Sequence, residues 1–166
     1  MNRVKSIVQF LLICVVISGG CTTINMVQNN KISFTYVDRT LKPFLDMYYA
    51  EAEKRGITVD RKEVVLVFGH TKAREDDDTI GFCAEAGNVP QMVIDEETYQ
   101  SYNQSEREML ILHEIGHCVG KRDHCEVMEN KQPISLMYSK MFDVRYYDVH
   151  REGLMNELFF KDDRCQ

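Results

Sequence analysis

Residues 113–125 read HEIGHCVGKRDHC, and the spacing within this stretch constrains the fold more than any other feature of the chain. His113 and His117 are four apart, so they share one face of a helix and can reach a single ion. Glu114 lies one position round that face. It cannot easily ligate the same ion, but its carboxylate can contact a water bound there. Two protein ligands are too few, because a catalytic zinc usually has three plus a water. The chain must therefore leave the helix soon after His117 and fold back under the ion. Gly120 is the expected exit, since glycine adopts the left-handed conformation that stops a helix and turns the chain. Beyond it Asp123 and His124 stand side by side as candidates for the third ligand.

His124 is the expected third ligand. Three neutral imidazoles keep the net charge of the site positive, which makes the bound water more acidic. Asp123 is then free to accept a hydrogen bond from a ligand histidine, or to pair with Arg122 or Lys121. Asp123 as the ligand remains the alternative. Zinc lowers the pKa of its water from about 16 to about 7 and polarises a carbonyl. Glu114, as general base, can take the proton while the water attacks, and pass it to a leaving amine. A purely structural site has no need of a base in that position. His70 and His150 are isolated and read as ordinary polar residues.

The rest of the chain predicts α+β architecture, with a small mixed sheet, a long N-terminal helix, the helix carrying the histidines and a C-terminal helix. Apolar residues recur at helical spacing from Ile32 to Arg55, with Pro43 as a kink or as the first turn of the main helix, and Gly56 as the stop. VVLVF (64–68) reads as a buried strand, and IGFCA (80–84) and QMVID (91–95) as two more, with a turn around Gly87, Asn88 and Pro90. Ser105 and Glu108 are spaced as a capping box for a helix over 105–119. An irregular segment follows, then a helix over 146–160. Asp76, Asp77 and Asp78 lack the spacing of a calcium loop and read as a solvated acidic loop.

The first residues predict export. Arg3 and Lys5 precede an apolar run, Ile7 to Ile17, which is too short for a comfortable membrane span of about 20 residues. Ser18-Gly19-Gly20-Cys21 follows and resembles the lipobox of bacterial lipoproteins, with Ser18 where leucine is usual. The resemblance implies cleavage after residue 20, lipidation of Cys21 and a membrane anchor, with residues 21–31 as a tether and 32–166 as the domain. By the same resemblance, Thr22 and Thr23 after the cysteine imply the outer membrane, facing the periplasm or the cell surface. Residues 1–20 carry two basic and no acidic residues, so their removal takes the formal charge from -6 to -8. Such a charge argues against a nucleic-acid partner. Lipidation of Cys21 leaves Cys83, Cys118, Cys125 and Cys165, an even number that can pair fully in an oxidising compartment. Four cysteines allow three pairings. Cys83–Cys118 with Cys125–Cys165 is preferred, because the strand of Cys83 belongs to the sheet against which the histidine helix should pack.

His113, Glu114, His117 and Gly120 match the signature of the metzincin metallopeptidases, H-E-x-x-H-x-x-G-x-x-H followed by a Met-turn. Counted strictly, the last ligand position of that signature falls on Asp123, with His124 one place late. The stretch GFC…VID…HEIGHC…RDHC…SLM, within residues 80–141, also resembles bacterial lipoproteins with HELGHC and RDH motifs. The resemblance implies one catalytic zinc, a protein or peptide substrate, and a Met-turn at ISLMYSKM in which Met137 forms an apolar floor without binding the metal. Tyr138 is one place off the tyrosine that some members use, and carries no catalytic assignment. A gluzincin arrangement would instead draw its third ligand from Glu152 or Glu157 on the last helix, where a solvated face is the usual reading. The expected function is a zinc-dependent endopeptidase. The alternatives are a zinc-binding surface lipoprotein without turnover, and a zinc amidase acting on a non-protein amide.

Overall fold

The structure, a computed structural model, describes residues 36–61, 63–71, 79–86 and 89–165. The export segment, Cys21, the tether and Asp76–Asp78 lie outside these residues. The described elements run in the order α1 (Lys42–Lys54), β1 (Val65–Gly69), β2 (Gly81–Ala86), β3 (Val89–Asp95), α2 (Glu96–Ser101), α3 (Gln104–Cys118), β4 (Met128–Glu129), β5 (Gln132–Pro133) and α4 (Val144–Phe159). Four helices and a small mixed sheet make this an α+β protein.

The sheet has the order β1-β3-β2, with β1 parallel and β2 antiparallel to the central strand. Period-two alternation decides what each face carries. On β3, Pro90, Met92 and Ile94 are buried between the half-buried Gln91 and Val93. Gly81, Cys83 and Glu85 of β2 lie opposite Ile94, Met92 and Pro90 and therefore share their face. That face packs against α3. Met109, Leu110, Ile111, Leu112 and Ile115 are at most 1% exposed, because α3 is flanked by the sheet and by α1 and α4. Burying a large apolar side chain of this kind stabilises by roughly 1.5–3 kcal/mol. The helix that bears the histidines is thus anchored on three sides by apolar packing.

Four expectations need correction. Among the described residues the N-terminal helix begins only at Lys42, and residues 32–35 of the expected helix lie outside them. Residues 36–38 instead form a parallel bridge to β1 through Val37 and Leu66, and the backbone turns at Asp38, whose carbonyl accepts from Leu41 and Lys42. Pro43 lies in the first turn of α1, where its missing N–H costs nothing. Further in, its ring would clash with a carbonyl four residues back. The capping box of α3 is formed by Asn103 and Glu106, not by Ser105 and Glu108. Glu108 accepts from Tyr147 and Arg151 of α4 instead. The short helix α2 was not expected, although Asp95 caps it through the Thr98 N–H at 2.9 Å. Finally, the irregular segment after α3 contains a two-stranded ladder, β4–β5.

Candidate metal centre

α3 presents His113 and His117 on one face, as the four-residue spacing requires. Their Nε2 atoms are 3.0 Å apart. The turn after α3 brings in His124, and the ligand atoms of the three imidazoles all lie within 4.8 Å of one another. Four ligands at about 2.1 Å in a tetrahedron sit roughly 3.4 Å apart, so the three imidazoles form a group that could hold a metal ion once their donor atoms draw closer. Each helical histidine also has its other ring nitrogen engaged by a backbone carbonyl. His113 Nδ1 meets the Leu136 carbonyl at 2.7 Å, and His117 Nδ1 meets the Arg122 carbonyl at 2.5 Å. A carbonyl can only accept, so both Nδ1 atoms carry the proton and both Nε2 lone pairs point at the common centre. Burial lowers the pKa of His113 to about 4, against the opposing pull of the Leu136 carbonyl, and burial also lowers that of His117. Both are neutral at pH 7 and available as ligands.

The exit from α3 is not built as expected. Gly120 is not left-handed; the positive φ falls on Lys121, at 53°. Glycine is required at 120 for space. A Cβ there would stand 2.8 Å from the Gly116 carbonyl oxygen and 2.9 Å from the Tyr48 hydroxyl. The close approach lets the Arg122 N–H donate to that same Gly116 carbonyl at 3.0 Å, so the chain reverses immediately below His117.

Asp123 is exposed and makes no hydrogen bond or ion pair among the described residues, and it is outside the three-histidine group. The expected hydrogen bond from a histidine to the Asp123 carboxylate does not form, and the carbonyls of Leu136 and Arg122 take that role instead. Lys121 pairs with Glu85, and Arg122 with Glu157. Glu152 pairs with Lys54 and Arg55 on the surface, so both alternative ligands on α4 are engaged elsewhere. His70 and His150 are also outside the group.

Glu114 is 5% exposed. Burial alone raises its pKa to about 7. Its carboxylate lies against β2, where a Cβ on Gly81 would come within 2.7 Å of Oε1. Gly81 therefore makes the room that Glu114 occupies, a role that only the register of β2 reveals. Two hollows meet at this carboxylate. One, of about 310 Å³, is bounded by His113, His124 and a largely apolar wall that includes Ile80, Met109, Leu110 and Phe142. The other, of about 560 Å³, is bounded by Phe82, His117, Asp123 and His124. Both include His113, Glu114 and His124, so the two hollows adjoin at these residues.

Met137 is fully buried in the turn that follows β5. It packs on Gly116, where a Cβ would meet its sulfur at 2.5 Å. It thus lies against the helix segment between the two ligand histidines. Tyr138 borders the apolar hollow, with its hydroxyl 3.8 Å from the Met128 sulfur. Disulfides join Cys83 to Cys118 and Cys125 to Cys165. Cys118 follows His117 and Cys125 follows His124, so each bridge anchors the backbone one residue from a histidine of the group. No family model, no curated protein and no solved structure matches the chain.

Proposed function

We propose that the chain is an exported, lipid-anchored zinc endopeptidase of metzincin-like type, with His113, His117 and His124 as ligands, Glu114 as general base and Met137 beneath the site. The observation that carries this reading is the placement of Glu114. A carboxylate buried without a cationic partner destabilises the fold, and this one borders the same two hollows as His113 and His124. A site that only held metal would have no use for it. Zinc there would supply an acidified water and a polarised carbonyl. Glu114 would be the residue to accept a proton from a bound water and return it to a leaving amine; poor solvation makes its carboxylate a stronger base than an exposed one. Gly81 keeps this carboxylate beside the cleft, and the carbonyls of Leu136 and Arg122 keep both imidazoles in the ligating tautomer. Two adjoining hollows at Glu114 leave room for substrate residues flanking the cut bond, and the apolar wall of one suits a hydrophobic side chain.

Export and anchoring through Cys21 rest on the N-terminal sequence and agree with two disulfides in the domain. No helix among the described residues is long and apolar enough to cross a membrane. The deciding experiment compares the wild type with Glu114→Gln. The variant is expected to keep one zinc and lose at least ~100-fold in peptide hydrolysis. Equal cleavage of casein or a peptide library by both proteins refutes the mechanism, and zinc uptake without cleavage by either favours the non-catalytic reading.

A further inference from the structure

The two carbonyls that orient His113 and His117 belong to separate segments, and both segments converge on one side chain of α4. Arg122, whose carbonyl holds His117, donates through Nη1 to the Glu157 carbonyl at 2.7 Å and to the Leu158 carbonyl at 2.6 Å. Its Nη2 pairs with Glu157 Oε1. The other carboxylate oxygen, Oε2, accepts from the Ser135 hydroxyl. Ser135 Oγ in turn accepts the Met137 N–H at 2.9 Å, closing the turn whose central Leu136 carbonyl holds His113. Both carboxylate oxygens of Glu157 are thus used, one on each carbonyl-bearing segment. The two segments also meet directly, through Cys125 N–H to the Met137 carbonyl at 2.8 Å.

We propose that Glu157 is the positioning residue of the metal centre: its carboxylate holds the 122 and 135–137 segments in register, so that both histidine tautomers and the position of His124 are set from one point. The inference rests on the reading of the three histidines as a metal site, and does not need the peptidase activity. The alternative, that Arg122–Glu157 merely stabilises the fold, explains the arrangement poorly. The side chains are 9% and 8% exposed, and such buried pairs are weak stabilisers relative to apolar packing. Arg122 Nε, moreover, finds no partner among the described residues. What the pair supplies is direction. Groups that orient metal-binding histidines typically control metal affinity by about 10–100-fold.

The test uses the full chain, exported so that its disulfides form, and compares wild type, Ser135→Ala, Glu157→Gln, Ser135→Ala with Glu157→Gln, and Glu152→Gln. Zinc affinity is read by chelator competition, site geometry by the visible spectrum of the cobalt-loaded protein, and folding by the melting temperature of the metal-free protein. Ser135→Ala leaves the charge pair intact and removes the link to Glu157 together with the Met137 N–H bond that closes the turn, so it reports even if Glu157→Gln folds poorly. Positioning predicts a 10–100-fold weaker zinc affinity and an altered cobalt spectrum in Ser135→Ala and Glu157→Gln, and a double variant no worse than the weaker single one. The exposed control Glu152→Gln should match wild type. Lower melting temperatures with unchanged zinc affinity and cobalt spectrum overturn the positioning role and leave the metal site standing. No zinc uptake by wild type overturns the metal site, and this inference with it.

Discussion

Replacing Glu114 by glutamine should make the metal-free protein more stable at alkaline pH, by an amount that the structure sets. Glu114 is buried without a cationic partner, and burial raises its pKa from 4.5 to about 7. The native state therefore binds this proton more tightly than the unfolded chain does. The stabilisation linked to protonation is fully present below pH 4.5 and is lost as pH rises through 7. Each pH unit between the two pKa values is worth about 1.4 kcal/mol, so the loss amounts to about 3 kcal/mol. Glutamine cannot ionise and escapes it. Burial of His113 gives a term of the opposite sign, since a histidine with a pKa of about 4 resists the proton that the unfolded chain accepts. That term is common to both proteins and drops out of the comparison. Urea unfolding in the presence of a chelator, from pH 4.5 to 8.5, measures the difference directly. The gap between variant and wild type should widen by about 3 kcal/mol over that range. Parallel stability profiles would show that Glu114 is not held in a poorly solvated pocket, and would remove the physical basis of its assignment as the base.

Three further outcomes are expected. His124→Ala should lose most of its zinc affinity, while Asp123→Ala keeps it, because only His124 converges with the helical pair; the reverse result in a zinc titration makes the aspartate the ligand. Gly81→Ala should keep its zinc and lose at least ~10-fold in kcat, because the added methyl collides with the Glu114 carboxylate and not with the histidines; unchanged kcat would mean that the carboxylate has room to spare. Cys83→Ser with Cys118→Ser should lower the unfolding free energy by ~2–4 kcal/mol, read by urea denaturation, and an unaltered midpoint would show that packing of β2 on α3 suffices without the bridge.

Spacing within HEIGHCVGKRDHC and the apolar, β-branched runs of the strands carried much of this protein by themselves. A four-residue histidine spacing needs only local helix geometry, so the shared face of His113 and His117 was legible, as was the placement of Glu114 just off it. Strand positions were legible to within a residue or two because short β-branched, apolar runs stand between turn residues. Pro43 marked the true start of α1, but residues 36–38 did not announce their pairing with β1, because a strand bridge depends on a partner some thirty residues away. The choice between Asp123 and His124 could be argued chemically, yet the geometry follows from a reversal set by the close contact of Gly120 with Gly116 and Tyr48. Glycine's need for space there, rather than for a left-handed φ, appears only when a second helix packs against the turn. The carbonyls of Leu136 and Arg122 leave no trace in a sequence, since every residue has one. Glu157, read along the chain as a surface charge or a spare ligand, becomes the shared anchor of both segments only because α4 lies across them. Local periodicity is written in neighbouring residues, whereas the orientation of ligands depends on contacts between elements distant in the chain, which only the packed structure decides.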